Sequence, residues 1–173
     1  MDAYYTIEEK YLKAVNKAYY GNTPKALNLL SAIIADDATY ARAYHQLGKI
    51  YYYDLKDYQT AGFHFKTCME LEPTFPDNYS DYLSLVVFLK MERQVGLISA
   101  KALTTPGVDT AEVYGLLGLF AEKNKQWPQA LQAYRNAYIE ATDKTERDEA
   151  EESIERVKEK MRQSSAYQYT LSG

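Results

Sequence analysis

The chain has 173 residues with an ordinary apolar share of 46%, enough to bury a core as one domain or one short repeat array. A net charge of −4 and a pI near 5.3 argue against the clustered basic surface that tracks phosphates, so nucleic acid is not an expected partner. The single cysteine, Cys68, excludes an intrachain disulfide, and no apolar run approaches the ~18 residues of a spanning helix, so membrane insertion is not expected. The first residues lack the basic and apolar regions of a signal peptide. The simplest expectation is a cytoplasmic protein, and a piece of a longer secreted or anchored protein would read the same.

Helical patterning begins at once. Ile7, Tyr11, Val15 and Ala18 form a stripe, Gly21-Asn22-Thr23-Pro24 makes a turn with Thr23 as N-cap and Pro24 behind it, and Ala26, Leu29, Leu30 and Ile33 form a second stripe. A second hairpin runs from a helix over about 40–53, through a turn at Leu55-Lys56-Asp57-Tyr58, to a helix carrying Ala61, Phe65 and Cys68 on its inner face and stopped by Pro73. A third, less regular, has Tyr79, Tyr82, Leu83 and Val86 on its first helix and Val95, Ser99 and Ala102 on its second, closed by Thr105-Pro106-Gly107. A fourth covers about 111–123, a turn at Asn124-Lys125-Gln126, and a helix opening with Trp127-Pro128, whose inner face is Ala130, Tyr134 and Ala137. Trp127 is expected to wedge against the preceding helix. From Lys144 to Arg162 the chain is mostly charged, with only Ala150, Ile154, Val157 and Met161 at helical spacing: a narrow apolar stripe on a solvated helix. Residues 164–173 show no periodicity and are expected to be a flexible tail.

Hairpins two and four repeat one pattern. Tyr44-x2-Leu47-Gly48-x2-Tyr51, Ala61-x3-Phe65 and Pro73 are matched by Tyr114-x2-Leu117-Gly118-x2-Ala121 and Ala130-x3-Tyr134, with the two glycines 70 residues apart. This resembles the tetratricopeptide repeat, whose period is about 34 residues. The resemblance implies an all-α fold, a right-handed α-α superhelix of about four hairpins (residues 4–37, 40–73, 76–106 and 111–140) within an array over 1–163, closed by a capping helix over about 144–162. Hairpin two carries one residue more than the pattern between Tyr51 and Ala61, placed here in its turn.

No metal, cofactor or catalytic motif is present. His45 and His64 are the two histidines, and they sit on different helices of hairpin two. The Gly115-x-x-Gly118 pair lies inside a helix rather than after a strand, which makes it packing rather than phosphate binding. The acidic run 146–152 reads as a solvated face, and Cys68 as a buried inert thiol.

In the repeat family, groove-facing side chains come from the first helix of each hairpin, at roughly places 2, 5, 9, 12 and 13 of the repeat. Carried over, hairpin one supplies Leu12, Asn16, Tyr19 and Tyr20; hairpin two Arg42, His45, Lys49, Tyr52 and Tyr53. Hairpin three supplies Asp77, Ser80, Ser84, Val87 and Phe88; hairpin four Glu112, Gly115, Leu119, Glu122 and Lys123. Aromatic anchors with a few charges are the composition of a peptide-binding surface. The carboxylate clamp of co-chaperone relatives is not expected: Asn16 and Lys49 are present, but Gln46 replaces an Asn, and Asp77 and Asp81 stand where cations are needed.

The leading expectation is a non-catalytic protein-interaction module that takes a peptide or helical segment of a partner protein in this groove. Self-association is the second, motivated by the irregular hairpins and by Tyr167, Tyr169 and Leu171 near the C-terminus. An enzyme or small-ligand binder on the same scaffold is the third.

Overall fold

The computed structural model describes the backbone of residues 6–171 and the side chains of 6–164. Residues 4 and 5, with which the first hairpin was expected to open, lie outside it, as do the side chains of Tyr167, Tyr169 and Leu171. Among the described residues the chain is all-α: α1 (Ile7–Tyr19), α2 (Thr23–Asp36), α3 (Ala41–Lys49) running on into a π turn (Ile50–Asp54), α4 (Tyr58–Leu71), α5 (Asp77–Phe88), α6 (Glu92–Ala102), α7 (Thr110–Lys123), α8 (Trp127–Glu140) and α9 (Lys144–Leu171). Two compact units divide it, residues 1–85 and 86–173.

Helix starts follow local chemistry. Thr6 and Glu9 form a reciprocal capping box at α1, the Thr6 hydroxyl accepting from Glu9 N–H at 3.2 Å and the Glu9 carboxylate accepting from Thr6 N–H at 2.8 Å. Asn22, one residue before the expected Thr23, caps α2 by accepting from Lys25 N–H. Asp57 and Asp109 cap α4 and α7 in the same way. α9 passes residue 162, where the capping helix was expected to end, and continues to Leu171 through the stretch expected as a flexible tail. No Gly or Pro interrupts it before Gly173.

The hairpin turns share one device. Each contains a residue in the left-handed region: Gly21 (φ 73), Lys56 (φ 56), Lys90 (φ 55) and Lys125 (φ 59). The next amide closes the preceding helix, Asn22 onto Lys17 O at 2.8 Å, Met91 onto Val86 O at 2.9 Å and Gln126 onto Ala121 O at 2.9 Å, each reaching back five residues. In hairpin two the same closure runs from Asp57 to Tyr51 O at 2.9 Å and reaches back six. The turn itself is therefore of ordinary length. The extra residue of hairpin two lies in the helix, absorbed as the π turn, and not in the loop as the sequence reading had it.

Gly48 and Gly118 are sites of close approach. A Cβ on Gly48 would come within 2.5 Å of the Phe65 ring, and one on Gly118 within 2.6 Å of the Tyr134 ring. Counting seven residues back from the left-handed residue of hairpin one reaches Ala14, fully buried with Ala26, Leu30 and Ile33. Ala14 thus holds the glycine place, one residue earlier than the sequence register. In the second unit, Trp127, Leu131, Ile154 and Met161 pack on Ala121, Ala130, Tyr134 and Val157, which seats α9 against α8 by the expected stripe.

Candidate interaction site

In the first unit, one side of α3 and its π turn meets α5 around one carboxylate. The Asp81 carboxylate accepts from Tyr53 Oη at 2.7 Å and lies 2.8 Å from His45 Nε2. Burial opposes its charge, but the bonds from His45 and Tyr53 and the charges of His45 and Lys49 outweigh this and hold Asp81 below the usual carboxylate range. One turn on, Tyr52 Oη and Ser84 Oγ are 3.3 Å apart. At the other end of the row the Arg42 guanidinium lies over the Phe75 ring at 5.7 Å, and His45 meets the same ring edge-on. Tyr52 and Tyr53 both come from the π turn, so the inserted residue sets how this aromatic pair is presented.

In the second unit, α7, α8 and α9 enclose an open groove of about 510 Å³. Glu112, Gly115 and Leu119 line it from α7, and Glu149, Ala150 and Ser153 from α9. Its width has a local cause. Gly115 has no side chain, and nothing lies within 4 Å of where a Cβ would stand. At the equivalent place in hairpin two, His45 reaches the next helix.

The groove ends on an ion cluster. Arg156 grips the Glu122 carboxylate with two bonds of 3.0 Å, while Lys160 Nζ donates at 2.7 Å and Tyr134 Oη at 2.7 Å. The Arg156 bonds, helped by Lys160 and Tyr134 and opposed by burial, bring the Glu122 carboxyl down to about 2. Burial foremost, with the hydrogen bond to Glu122 and its charge, pushes the Tyr134 phenol well up against the lowering effect of Arg156. Lys160 also sits over the Trp127 ring at 5.9 Å.

Several of the residues singled out in the sequence do meet: Tyr52 with Ser84, Tyr53 and His45 through Asp81, and Phe88 under Lys123 at 5.8 Å. Others are placed differently. His45 is 5% exposed, within the packing rather than on a free face, and Glu122 is 8% exposed and taken up by α9. With Ala14 at the glycine place, the groove places of hairpin one become Tyr11, Val15, Ala18 and Tyr19. Leu12, Asn16 and Tyr20 are all exposed but leave the groove places by this count. Asp81 and Arg156 were missed as organising residues. The pairing of Arg156 and Lys160 four apart on an acidic helix was the available signal for the second.

Neither a family model nor a curated protein matches the sequence. Solved structures do. MamA from Desulfovibrio magneticus RS-1 is 17% identical over 91% of this chain and 96% of its own, with a TM-score of 0.68. PilW, a widely conserved type IV pilus biogenesis factor, is 16% identical over 91% of this chain and 80% of its own, also at 0.68. Human IFIT1, solved as a dimer with PPP-AAAA, is 21% identical over 93% of this chain but 41% of its own, at 0.77. These are tetratricopeptide-repeat proteins, and at such identities the likeness is one of fold: the chain has the all-α helical-repeat fold of the tetratricopeptide family.

Proposed function

We propose that the chain is a protein-interaction module that holds a segment of a partner protein against the first-helix face of its hairpins, and that it is not an enzyme. The observation that carries this reading is the open groove in the second unit. Three residues named from repeat register alone, Glu112, Gly115 and Leu119, line it. A groove with an apolar floor and a charged rim suits a peptide or helix laid along it. The aromatic and charged row of Arg42, Lys49, Tyr52 and Tyr53 on the first unit supports the same use.

Lysine cross-linking of the protein with a captured partner, read by mass spectrometry, tests the face. Lys49 and Lys123 lie on first helices; Lys66 and Lys101 lie on second helices and are exposed. Partner cross-links are expected on the first pair. Cross-links confined to Lys66 and Lys101 would remove the reading.

Self-association is favoured by a separate observation. Leu12 is 58% exposed and Tyr19 81%, seven residues apart on one side of α1, and Tyr20, which caps that helix, is 74% exposed. A strict monomer by light scattering at high concentration removes it.

A further inference from the structure

We infer that the groove between α7 and α9 takes a basic amphipathic segment of a protein partner, with an apolar side chain seated over Gly115 and Lys or Arg side chains on either flank. This rests on the groove reading above and names the chemistry of its ligand. Carboxylates line both walls: Asp109 and Glu112 at the start of α7, Glu146 and Glu149 on α9. Asp109 and Glu146 also serve the backbone at their helix starts. Glu112 and Glu149 are exposed, and among the described residues neither carboxylate has a hydrogen-bond or ion-pair partner. The one cation in the lining, Arg156, is held by Glu122, which Lys160 shares, and the four wall carboxylates outnumber the single positive charge this cluster keeps.

The floor is apolar, built from Leu116, Leu119, Ala137 and Ala150, with a bare backbone at Gly115. An acidic segment would be repelled by both walls. A neutral apolar one would leave the rim charges without counterparts. A segment alternating apolar and cationic side chains matches floor and walls together.

The probe is a fluorescein-labelled peptide of lysines with leucine at every fourth position, read by anisotropy, beside its glutamate counterpart. Wild type is expected to bind the lysine peptide and to leave the glutamate peptide free. Glu112→Lys with Glu149→Lys should weaken binding by about tenfold or more. Gly115→Leu, whose Cβ would have nothing within 4 Å and which favours the helix, should fill the seat and weaken binding to a similar extent with no change of charge. Circular dichroism confirms that both variants fold.

Equal affinity in wild type and Gly115→Leu would reduce the effect to general charge attraction and overturn the proposal. Tighter binding of the glutamate peptide overturns it as well. A concentration-dependent dimer abolished by Gly115→Leu would assign the groove to a second copy of this chain instead. Should the partner cross-links fall on Lys49 and Lys123 while the lysine peptide fails to bind, only the basic-segment assignment falls. Cross-links confined to Lys66 and Lys101 remove the groove reading itself.

Discussion

Replacing Glu122 with glutamine should loosen α9 in a pH-dependent way. The carboxylate is 7% exposed and holds Arg156, Lys160 and Tyr134 together, which lowers its pKa from an ordinary 4.5 to about 2. At ~1.4 kcal/mol per tenfold, that difference corresponds to roughly 3 kcal/mol. Arg156 and Lys160 are 42% and 43% exposed, so water screens them, and about 2 kcal/mol is the expected contribution. The sign follows from the depressed folded value. The stabilisation is complete above about pH 5 and is lost as pH falls towards 2. Urea unfolding of wild type and Glu122→Gln should therefore differ by about 2 kcal/mol at neutral pH and converge near pH 2. Amide exchange should show the loss of protection concentrated in α9. A stability gap of the same size at both pH values would refute the reasoning, because the charge would then not be the source of the effect.

Gly118→Ala should destabilise by about 1–3 kcal/mol, because its Cβ would stand 2.6 Å from the Tyr134 ring, whereas Gly115→Ala should stabilise by up to about 1 kcal/mol; thermal melts of the pair check this. Lys125→Gly should stabilise by about 1 kcal/mol by relieving the left-handed backbone at φ 59, and a lower Tm would contradict the strain argument. Cys68 is buried, and burial with the nearby Glu72 charge pushes its thiol up to about 12, so reaction with a disulfide reagent should track global unfolding; rapid labelling of the native protein would show the site to be open.

The fold was legible in the sequence where size complementarity is written as spacing. Gly48 with Phe65 and Gly118 with Tyr134 each place an absent side chain against a ring, and the ring needs that absence. The extra residue of hairpin two could be counted but not located, because an insertion has the same length in a helix as in a loop. What locates it is the closing hydrogen bond from Asp57 to Tyr51 O. The register of hairpin one was misplaced by one because Ala14 and Val15 are both small and apolar, and either can start the count. The Asp81 and Glu122 clusters were hidden for a different reason. Their partners lie 36 and 34 residues away, so even the local Arg156 and Lys160 pair does not say which carboxylate it meets.

Burial along the first helices sorts the predicted groove places into two kinds. At place 5, His45 is buried and Ser80 and Gly115 are half-buried; at place 12, Val87 and Glu122 are buried and Tyr52 is half-buried. These places reach the next helix: His45 to Asp81, Tyr52 to Ser84, Glu122 to Arg156. Places 2 and 13 are exposed throughout: Arg42, Asp77 and Glu112, then Tyr53, Phe88 and Lys123. Hairpin one follows the same rule only in the corrected register, with Tyr11 and Ala18 half-buried at places 5 and 12 and Glu8 and Tyr19 exposed at places 2 and 13. Helix contact and exposure are thus divided among the places of one helix face. Gly115 breaks the rule by leaving a stacking place empty, and the groove between α7 and α9 is the consequence.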